Sequence, residues 1–489
     1  MLSFTRPVET SRLGRERERV AYAPARTLHG KVTKMSPSNP LELHPDAVRT
    51  FNEYSEAVLA EVTETPRNEA RPQGFRPEAY MSAHISPADL VGEIQEGTVD
   101  GTGTETGRMF RHGGRRFGLV GPGYQNLASL AAKVQATPAF RNFISYGCVL
   151  DIAFEWVTWK CRGEMTTPFC EHLVAECAKR LREIEIWIPV YCVYAEEDIT
   201  LGPCLFRTIT TAMIDEWEQH HRSTVKEQGP QVEEFFRKVR KQMQGTLAAT
   251  FRAHAEPERA RELAGEQAEY AVGLLNFFHP AHGTLRTRSY VTLLGQENIQ
   301  TTTTLVLDNG CIRQRSQGLL DRGASPWGLD RAHIQFVRQS GLDKMGAIWA
   351  REEKSEYDTS LLNALQLYAK SSLSMAVTDR LVYILAALES MLLRNDTEPV
   401  QKNIGERMGF IVKKTAEERK KMVRVVDEVY KIRSSFVHHG QKIKESQVIE
   451  EFMFCAWSLF LILIAESGKY SRRESMFDAI DNVKFGGGS

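Results

Sequence analysis

The stretch that decides the fold is AEERKKMVRVVDEVYKIRSSFVHHG, residues 416–440. Its apolar side chains recur every three or four positions, at Val425, Val429, Ile432 and Phe436. This spacing predicts an amphipathic helix that buries one face. The segment ends on two histidines and a glycine, so polar groups that can carry chemistry lie at the end of a helix.

Three neighbouring segments have the same helical period. They are DTSLLNALQLYAK (358–370), VTDRLVYILAALESMLL (377–393) and ESQVIEEFMFCAWSLFLILIAE (445–466). The first opens with a cluster suited to a helix N terminus, namely Asp358, Thr359 and Ser360. The second places an apolar stripe on one face, formed by Leu381, Ile384, Leu385, Leu388 and Leu392. Four such helices in a row predict a helical bundle.

Strand patterns precede these helices. In EIEIWIPVYCVY (183–194), alternation of apolar and polar residues predicts a half-buried strand, and Pro189 suggests a sheet edge. The turn AEEDITLGP and the strand CLFRTITT follow, which predicts a hairpin. Further strands are predicted over about 286–294 and 301–316, the latter with the turn Asp308-Asn309-Gly310.

One helix is predicted before these strands and one between them. TTPFCEHLVAECAKRLRE has Thr167 as a cap and Pro168 at its first helical position. VEEFFRKVRKQMQGTL has apolar residues at helical spacing.

These patterns predict an α+β multidomain chain. We expect a largely extended or disordered N-terminal region (1–115), including GTVDGTGTETG (97–107), with a short helix over 51–62. An α+β regulatory or sensor domain (116–325), a helical connector (326–357) and a helical domain (358–470) follow. Residues 471–489 are expected to be a tail, and its closing GGGS is typical of an added linker.

Composition favours a cytoplasmic protein. Lys and Arg total 62, as do Asp and Glu, so no global charge indicates a nucleic acid or an anionic membrane as partner. The eight cysteines include no CxxC pair, and the N terminus lacks the apolar core of a secretion signal. The apolar run 452–465 is shorter than the roughly 20 residues that span a bilayer, so we expect a buried helix.

Arg433 and His438 form an Arg-x4-His pair in this helix. Such a pair suits RNA cleavage without a metal or other cofactor: the histidine transfers protons near neutral pH, and the arginine holds the phosphate. The nucleophile would be the 2'-hydroxyl of the RNA itself. The same residues also suit a helix C terminus, where histidines interact with the helix dipole and Gly440 takes a left-handed turn.

Geometry sets a condition on catalysis. In a continuous helix, residues five apart differ by about 140° in azimuth and about 7.5 Å in rise. Either the helix ends near Val437, which lets His438 swing, or a second protomer supplies its own pair across a twofold axis. We favour the dimer.

The order LVYILAALESMLL, GERMGFIV and VVDEVYKIRSSFVHHG resembles the Apea-like branch of the HEPN superfamily over about 110 residues. The resemblance implies a dimeric four-helix bundle and, in active members, a metal-independent endoribonuclease of bacterial antiphage defence or toxin systems. It implies catalytic roles for Arg433 and for His438 or His439. The supporting residues that it implies are Glu389 and Ser434. Arg407 matches the arginine in the ERxxxL-type stretch of the family pattern.

Two features depart from that pattern. Many HEPN nucleases have Asn, Asp or His where this chain has Ser434. The extra histidine leaves the catalytic one open, because spacing favours His438 and adjacency to glycine favours His439. Glu389 either orients Arg433 or Arg407 or forms a buried salt bridge that fixes the helix register.

A positive run precedes the motif. We expect RNA contacts from Lys413, Lys414, Lys420, Lys421 and Arg424, although an ordinary solvated helix face is equally consistent. Elsewhere, FGLVGPGYQNL (117–127) lacks a phosphate-loop pattern, and the spacing of Cys161, Cys170, His172 and Cys177 matches no zinc module. No metal site is therefore predicted.

The middle region resembles, more loosely, the variable regions that precede HEPN domains in defence proteins. The sequence thus predicts a cytoplasmic, homodimeric ribonuclease of antiphage defence (abortive infection). Its substrate would be RNA, tRNA being one candidate, and it would be controlled by the N-terminal region and by a phage-derived trigger. The alternative is a non-catalytic HEPN module for dimerisation or nucleotide binding.

Overall fold

The computed structural model describes residues 41–65, 96–224, 229–293, 301–308, 311–318, 326–395, 397–439 and 447–486. The first region has the elements α1 Pro45–Ala60, β1 Thr63–Glu64, β2 Glu96–Val99, β3 Glu105–His112, β4 Arg115–Val120, α2 Pro122–Gln135, α3 Tyr146–Arg162 and α4 Phe169–Arg180. Its antiparallel sheet has the order β1-β4-β3-β2. Helices α1 to α4 enclose a core of their own that includes Phe140, Phe154 and Trp156.

The expectation that residues 1–115 are largely extended or disordered is wrong for the described part. Residues 97–107 form most of the β2–β3 hairpin, because the Asp100 carboxylate accepts hydrogen bonds from the backbone N–H groups of Thr102 and Thr104. The hydrogen bond from the Thr102 hydroxyl lowers the pKa of that carboxyl further. The helix expected at 51–62 is α1, which starts earlier. Residues 1–40 and 66–95 lie outside the described residues.

A second sheet follows. Its region comprises β5 Arg182–Tyr191, β6 Val193–Ala195, β7 Ile199–Leu201, β8 Cys204–Thr208, α5 Thr211–Thr224, α6 Pro230–Met243, β9 Leu247–Ala255, α7 Pro257–Asn276, β10 Thr292–Leu293, β11 Thr301–Asp308, β12 Cys311–Gly318 and β13 Trp327–Leu329. The five-stranded sheet is antiparallel, with the order β10-β5-β9-β8-β7. β11 and β12 form a separate hairpin, as predicted, although Asn309 and Gly310 lie outside the described residues.

Three local predictions for this part of the chain were wrong. The hairpin joins β7 to β8, not β5 to β8, because β9 lies between β5 and β8 in the sheet. The strand expected over 286–294 is only β10, two residues long. Helix α4 begins at Phe169 with Pro168 as its cap residue, because the Pro168 carbonyl oxygen accepts the first helical hydrogen bond, from the N–H group of His172.

The rest of the described chain is helical. The elements are α8 Arg331–Gln339, α9 Leu342–Trp349, α10 Glu356–Ser371, α11 Val377–Leu392, α12 Val400–Val412, α13 Ala416–His439, α14 Gln447–Ala465 and α15 Arg473–Lys484. The cap of α10 is Ser355, whereas Asp358 is buried beside Arg351. The expected tail contains α15, whose Met476 and Phe477 are buried.

A continuous hydrophobic core joins the second sheet to these helices. The Phe277 ring after α7 contacts the rings of Tyr368 and Phe460, at centroid distances of 5.6 and 6.4 Å. Trp457 Nε1 also donates to the Phe277 carbonyl oxygen at 3.1 Å. The expected boundary at residue 325 therefore crosses one core, and the chain is a mixed α+β protein with a helical C-terminal region.

We call the contact between the segment after α7 and the helical region the joint. Arg380 of α11 stabilises it. Its side chain is buried, with 1% of the residue exposed, and it donates to the carbonyl oxygens of Ser374 at 2.8 Å and Thr284 at 2.6 Å. It also donates to the carbonyl oxygens of Ala281 and Thr287. A buried cation therefore holds the segment after α7 against the start of α11.

Helix α14 is the one helix among the described residues that is long and apolar enough to cross a membrane. Half of its most apolar window is buried within this chain, including Phe452, Leu459 and Phe460. It is thus a central helix of the core, as the sequence predicted, and its bounds lie within the predicted segment 445–466.

We predict that Arg380→Met will destabilise the protein by at least about 3 kcal/mol, because several buried carbonyl oxygens lose their donor. Urea denaturation followed by circular dichroism measures this change. Arg424→Met makes the same chemical change at an exposed position and should have little effect. Equal effects of the two substitutions would show that the buried contacts do not stabilise the joint.

We also predict acid destabilisation from two histidines. Burial lowers the pKa of His279 to about 4 and that of His282 to about 3. Both rings are therefore neutral when folded but take up protons when unfolded, so stability is complete above about pH 6.5 and falls as the pH falls. The loss between about pH 7.5 and pH 5 should be on the order of 2 kcal/mol for each histidine.

Urea denaturation at several pH values measures this slope. His279→Asn should flatten the slope, whereas His44→Asn, at an exposed position, should leave it unchanged. An identical slope in both variants would contradict the assignment to His279.

Candidate active site

Helix α13 carries the Arg-x4-His pair and is continuous through His439. The alternative in which the helix ends near Val437 is therefore wrong. Because the helix continues, Arg433 and His438 leave its axis about 140° apart. His438 lies seven residues, about two turns, after the exposed Lys431, so their Cα atoms lie on the same side of α13. The side chains of His438 and His439 lie outside the described side chains.

Arg433 is half-buried and has no ion pair or hydrogen bond with any other residue that the structure describes. Three other half-buried or buried arginines of the helical region bind carboxylates, whereas the buried Arg380 binds carbonyl oxygens. Arg407 pairs with Glu398 at 2.7 Å, Arg394 with Asp481 at 3.0 Å, and Arg473 with Glu356 at 2.9 Å. Within the described part of the chain, the Arg433 guanidinium is therefore available to bind an anion.

Glu389 contacts neither of the arginines suggested by the sequence. Its Oε1 accepts a hydrogen bond of 2.7 Å from the Tyr430 hydroxyl, one turn before Arg433. Burial and this bond raise the pKa of Tyr430, whereas the nearby charge of Arg433 opposes that rise. The expected ion pair of Glu389 with Arg433 or Arg407 is absent among the described residues. The Glu389 carboxylate instead accepts a hydrogen bond from Tyr430, and Arg407 pairs with Glu398.

The remaining predicted site residues lie on α13 and in the short connection that precedes it. Ser434, next to Arg433, is exposed. Of the predicted RNA-binding residues, Lys414, Lys420 and Arg424 are exposed and Lys413 is half-buried. Lys421 is exposed, but its Nζ lies 2.7 Å from Glu451 of α14.

Lys420, Arg424 and Lys431 follow one another at intervals of four and seven residues and share one exposed face of α13. Lys431 was missed by the sequence analysis, although its helical phase with Lys420 and Arg424 could have shown it. Tyr430 was missed as a functional neighbour as well. Its spacing of three residues from Arg433 placed it on the adjacent turn, but its contact with α11 could not be read from spacing.

The described residues contain no group of three or more His, Cys, Asp or Glu side chains arranged to hold a metal ion. Cys170, His172 and Cys177 are buried along α4, whereas Cys161 is exposed on α3. Their burial fits packing between helices α1, α3 and α4.

No protein-family model, no curated protein and no solved structure matches this chain.

We predict that Tyr430→Phe will destabilise the protein by about 1 kcal/mol, because the half-buried Glu389 carboxylate loses a hydrogen bond. The test is urea denaturation of Tyr430→Phe, Glu389→Gln and the double variant, analysed as a double-mutant cycle. Tyr383→Phe is the matched control, since this half-buried hydroxyl on α11 has no hydrogen bond to another described residue. Additive effects would show that Tyr430 and Glu389 are not coupled.

Proposed function

We propose that this chain is a HEPN-type, metal-independent endoribonuclease that acts as a homodimer in antiphage defence. Arg433 would bind the scissile phosphate, and His438 or His439 would transfer the proton. The proposal is supported chiefly by the half-buried Arg433, which has no carboxylate partner among the described residues. A guanidinium in that state is suited to bidentate contact with a phosphate.

The chemistry needs only the RNA and these side chains. A base removes the proton of the 2'-hydroxyl, whose oxygen forms a bond to phosphorus. The bond from phosphorus to the 5'-oxygen breaks, and an acid supplies a proton to the leaving oxygen. Arg433 would stabilise the charge that develops on the phosphate oxygens. The products are a 2',3'-cyclic phosphate and a free 5'-hydroxyl.

The continuous α13 is the reason for proposing a dimer. Within one protomer, the Arg433 and His438 positions are about 140° apart around the helix, so one protomer cannot readily aim both at one phosphate. Phe436, three residues after Arg433, is 36% exposed, and Phe454 of α14 is 56% exposed. A second copy that covered such apolar side chains would also bring its own histidine towards Arg433.

The basic face of α13 supplies a path for the RNA backbone. Lys420, Arg424 and Lys431 are exposed and extend over about 16 Å of helix, a few phosphate spacings. Asp427 and Glu428 interrupt this face, so the positive charge is moderate. We infer that these residues guide the strand towards the end of the helix and that Arg433 binds the reacting phosphate.

Cleavage of total cellular RNA and of tRNA in EDTA tests the proposal. Arg433→Ala should lower the rate by at least about 100-fold, because it removes phosphate binding, and His438→Ala should do the same if His438 is the histidine that transfers the proton. His439→Ala decides which histidine acts. The products should end in 2',3'-cyclic phosphate by mass spectrometry.

Arg424→Ala is the matched control for loss of an arginine from the same helix, and it should change the rate by less than about tenfold. Each variant is checked for an unchanged melting temperature and oligomeric state. Activity that persists in both Arg433→Ala and His438→Ala, or that EDTA abolishes, would refute the proposal. An inactive wild type, even with extract of phage-infected cells, would favour the non-catalytic dimerisation or nucleotide-binding alternative.

A further inference from the structure

A cleft of about 540 Å³ lies between the outer face of the second sheet and helix α5. Its lining residues are distant in sequence from α13. Trp187 of β5 and Arg207 of β8 line it from the sheet, and Trp217 and Ser223 line it from α5. Both tryptophans are only half-buried. Two large aromatic side chains therefore face a solvent-accessible space.

The two indole rings form adjoining walls. Their centroids are 5.2 Å apart and their planes meet at 69°, so they make an edge-to-face contact rather than a stack. Each indole also packs against the small core that includes Ile214 and Phe236, and both tryptophans line the cleft. A flat aromatic ligand could stack on one indole and touch the edge of the other.

Polar contacts hold the walls in place. Trp187 Nε1 donates to Glu185 Oε1 at 3.0 Å, which fixes the plane of that ring. The Arg207 guanidinium lies 5.6 Å from the Trp187 ring, and its Nε donates to Asp198 at 3.0 Å. The aromatic walls are thus preorganised without a ligand, which lowers the entropic cost of binding.

Helix α5 is fastened independently of the cleft. Arg240 of α6 donates to Asp215 at 2.7 Å, and it also binds Glu218. Below these contacts, a small core that includes Ile214 and Phe236 packs α5 and α6 on the sheet. The wall that carries Trp217 is therefore a fixed part of the fold.

The charges around the cleft disfavour an anionic ligand. Arg207 pairs with Asp198 and Glu185 pairs with Arg252, so these charges are balanced, whereas Glu216 lines the cleft and has no ion pair with another described residue. A phosphate inside the cleft would face this carboxylate. The ring that suits this site is uncharged and carries hydrogen-bond donors on its edge, which the carboxylates can accept.

We propose that this cleft binds an unpaired nucleobase, either of a free nucleoside or of a single strand of RNA. The base stacks on Trp217, its amino group donates to Glu216 or Glu185, and any phosphate stays in solvent. Stacking on tryptophan accepts any base, and the carboxylates favour bases that have an exocyclic amino group. This site does not depend on the ribonuclease proposal, because it shares no residue with α13.

Equilibrium binding to the full chain tests the proposal. The probes are adenosine, adenosine 5'-monophosphate, a short 2'-O-methyl oligoadenylate that resists cleavage at the 2'-hydroxyl, and an abasic strand of equal length. Adenosine and the oligoadenylate should bind, the abasic strand should not, and the monophosphate should bind no tighter than adenosine. If the oligoadenylate binds tighter than adenosine, the bound base belongs to a single strand of RNA. If the two bind equally, it belongs to a free nucleoside.

Trp217→Ala should weaken binding at least about fivefold through loss of stacking. Ser223→Trp tests the same site without removing packing, because Ser223 is exposed and a large side chain there would fill the cleft. Thr224→Trp is its matched control. Both hydroxyls donate to the His220 carbonyl oxygen and both residues are exposed, but Ser223 lines the cleft and Thr224 is not among its lining residues.

Weakened binding in Trp217→Ala and Ser223→Trp, with Thr224→Trp unchanged, would support the proposal. Absence of adenosine and oligoadenylate binding up to millimolar concentration would overturn it. Binding that survives both variants, or a monophosphate that binds more than tenfold tighter than adenosine, would also overturn it.

Discussion

The contact of Phe277 with Tyr368 and Phe460 joins the second sheet to the helical region, and the rest of the structure depends on it. Burial of one such aromatic side chain stabilises a protein by about 1.5–3 kcal/mol. Arg380 reinforces the joint, because its buried guanidinium binds the Thr284 carbonyl oxygen in the segment after α7 and the Ser374 carbonyl oxygen before α11. As a result, α7 packs directly against α10, and the sheet shares one core with the helices.

Because the second sheet and the helices share one core, the sheet can influence the proposed nuclease through direct contact. A sensor on a flexible linker would act by tethering, whereas a sheet packed into the same core can act by shifting the helices. Helix α13 contacts α11 through the hydrogen bond of Tyr430 with Glu389, and α11 also carries Arg380. Helix α11 thus connects the joint to α13, and α14 makes a second connection through Phe460 in the joint and the ion pair of Glu451 with Lys421 of α13.

Much of the helical region could be predicted from the sequence, because the apolar stripes of α11 and α13 are long and regular. Elements that depend on distant partners could not: β9 enters the sheet between β5 and β8, and α15 packs on Arg394 and Arg407 through Phe477. The β2–β3 hairpin was missed because its order comes from the side-chain bonds of Asp100 and from pairing with β4, not from apolar content. At the candidate site, spacing identified Arg433, but only the packing of α13 on α11 shows that Glu389 is bound to Tyr430.

The most direct test of a site shared between two protomers is to mix the purified Arg433→Ala and His438→Ala variants after subunit exchange and to measure RNA cleavage in EDTA. Each variant alone is expected to be inactive. If one protomer supplies the arginine and its partner the histidine, half of the exchanged dimers are mixed and each of these has one intact site, so about a quarter of wild-type activity should return. A mixture that stays inactive, with exchange demonstrated by co-purification of differently tagged chains, would contradict a shared site.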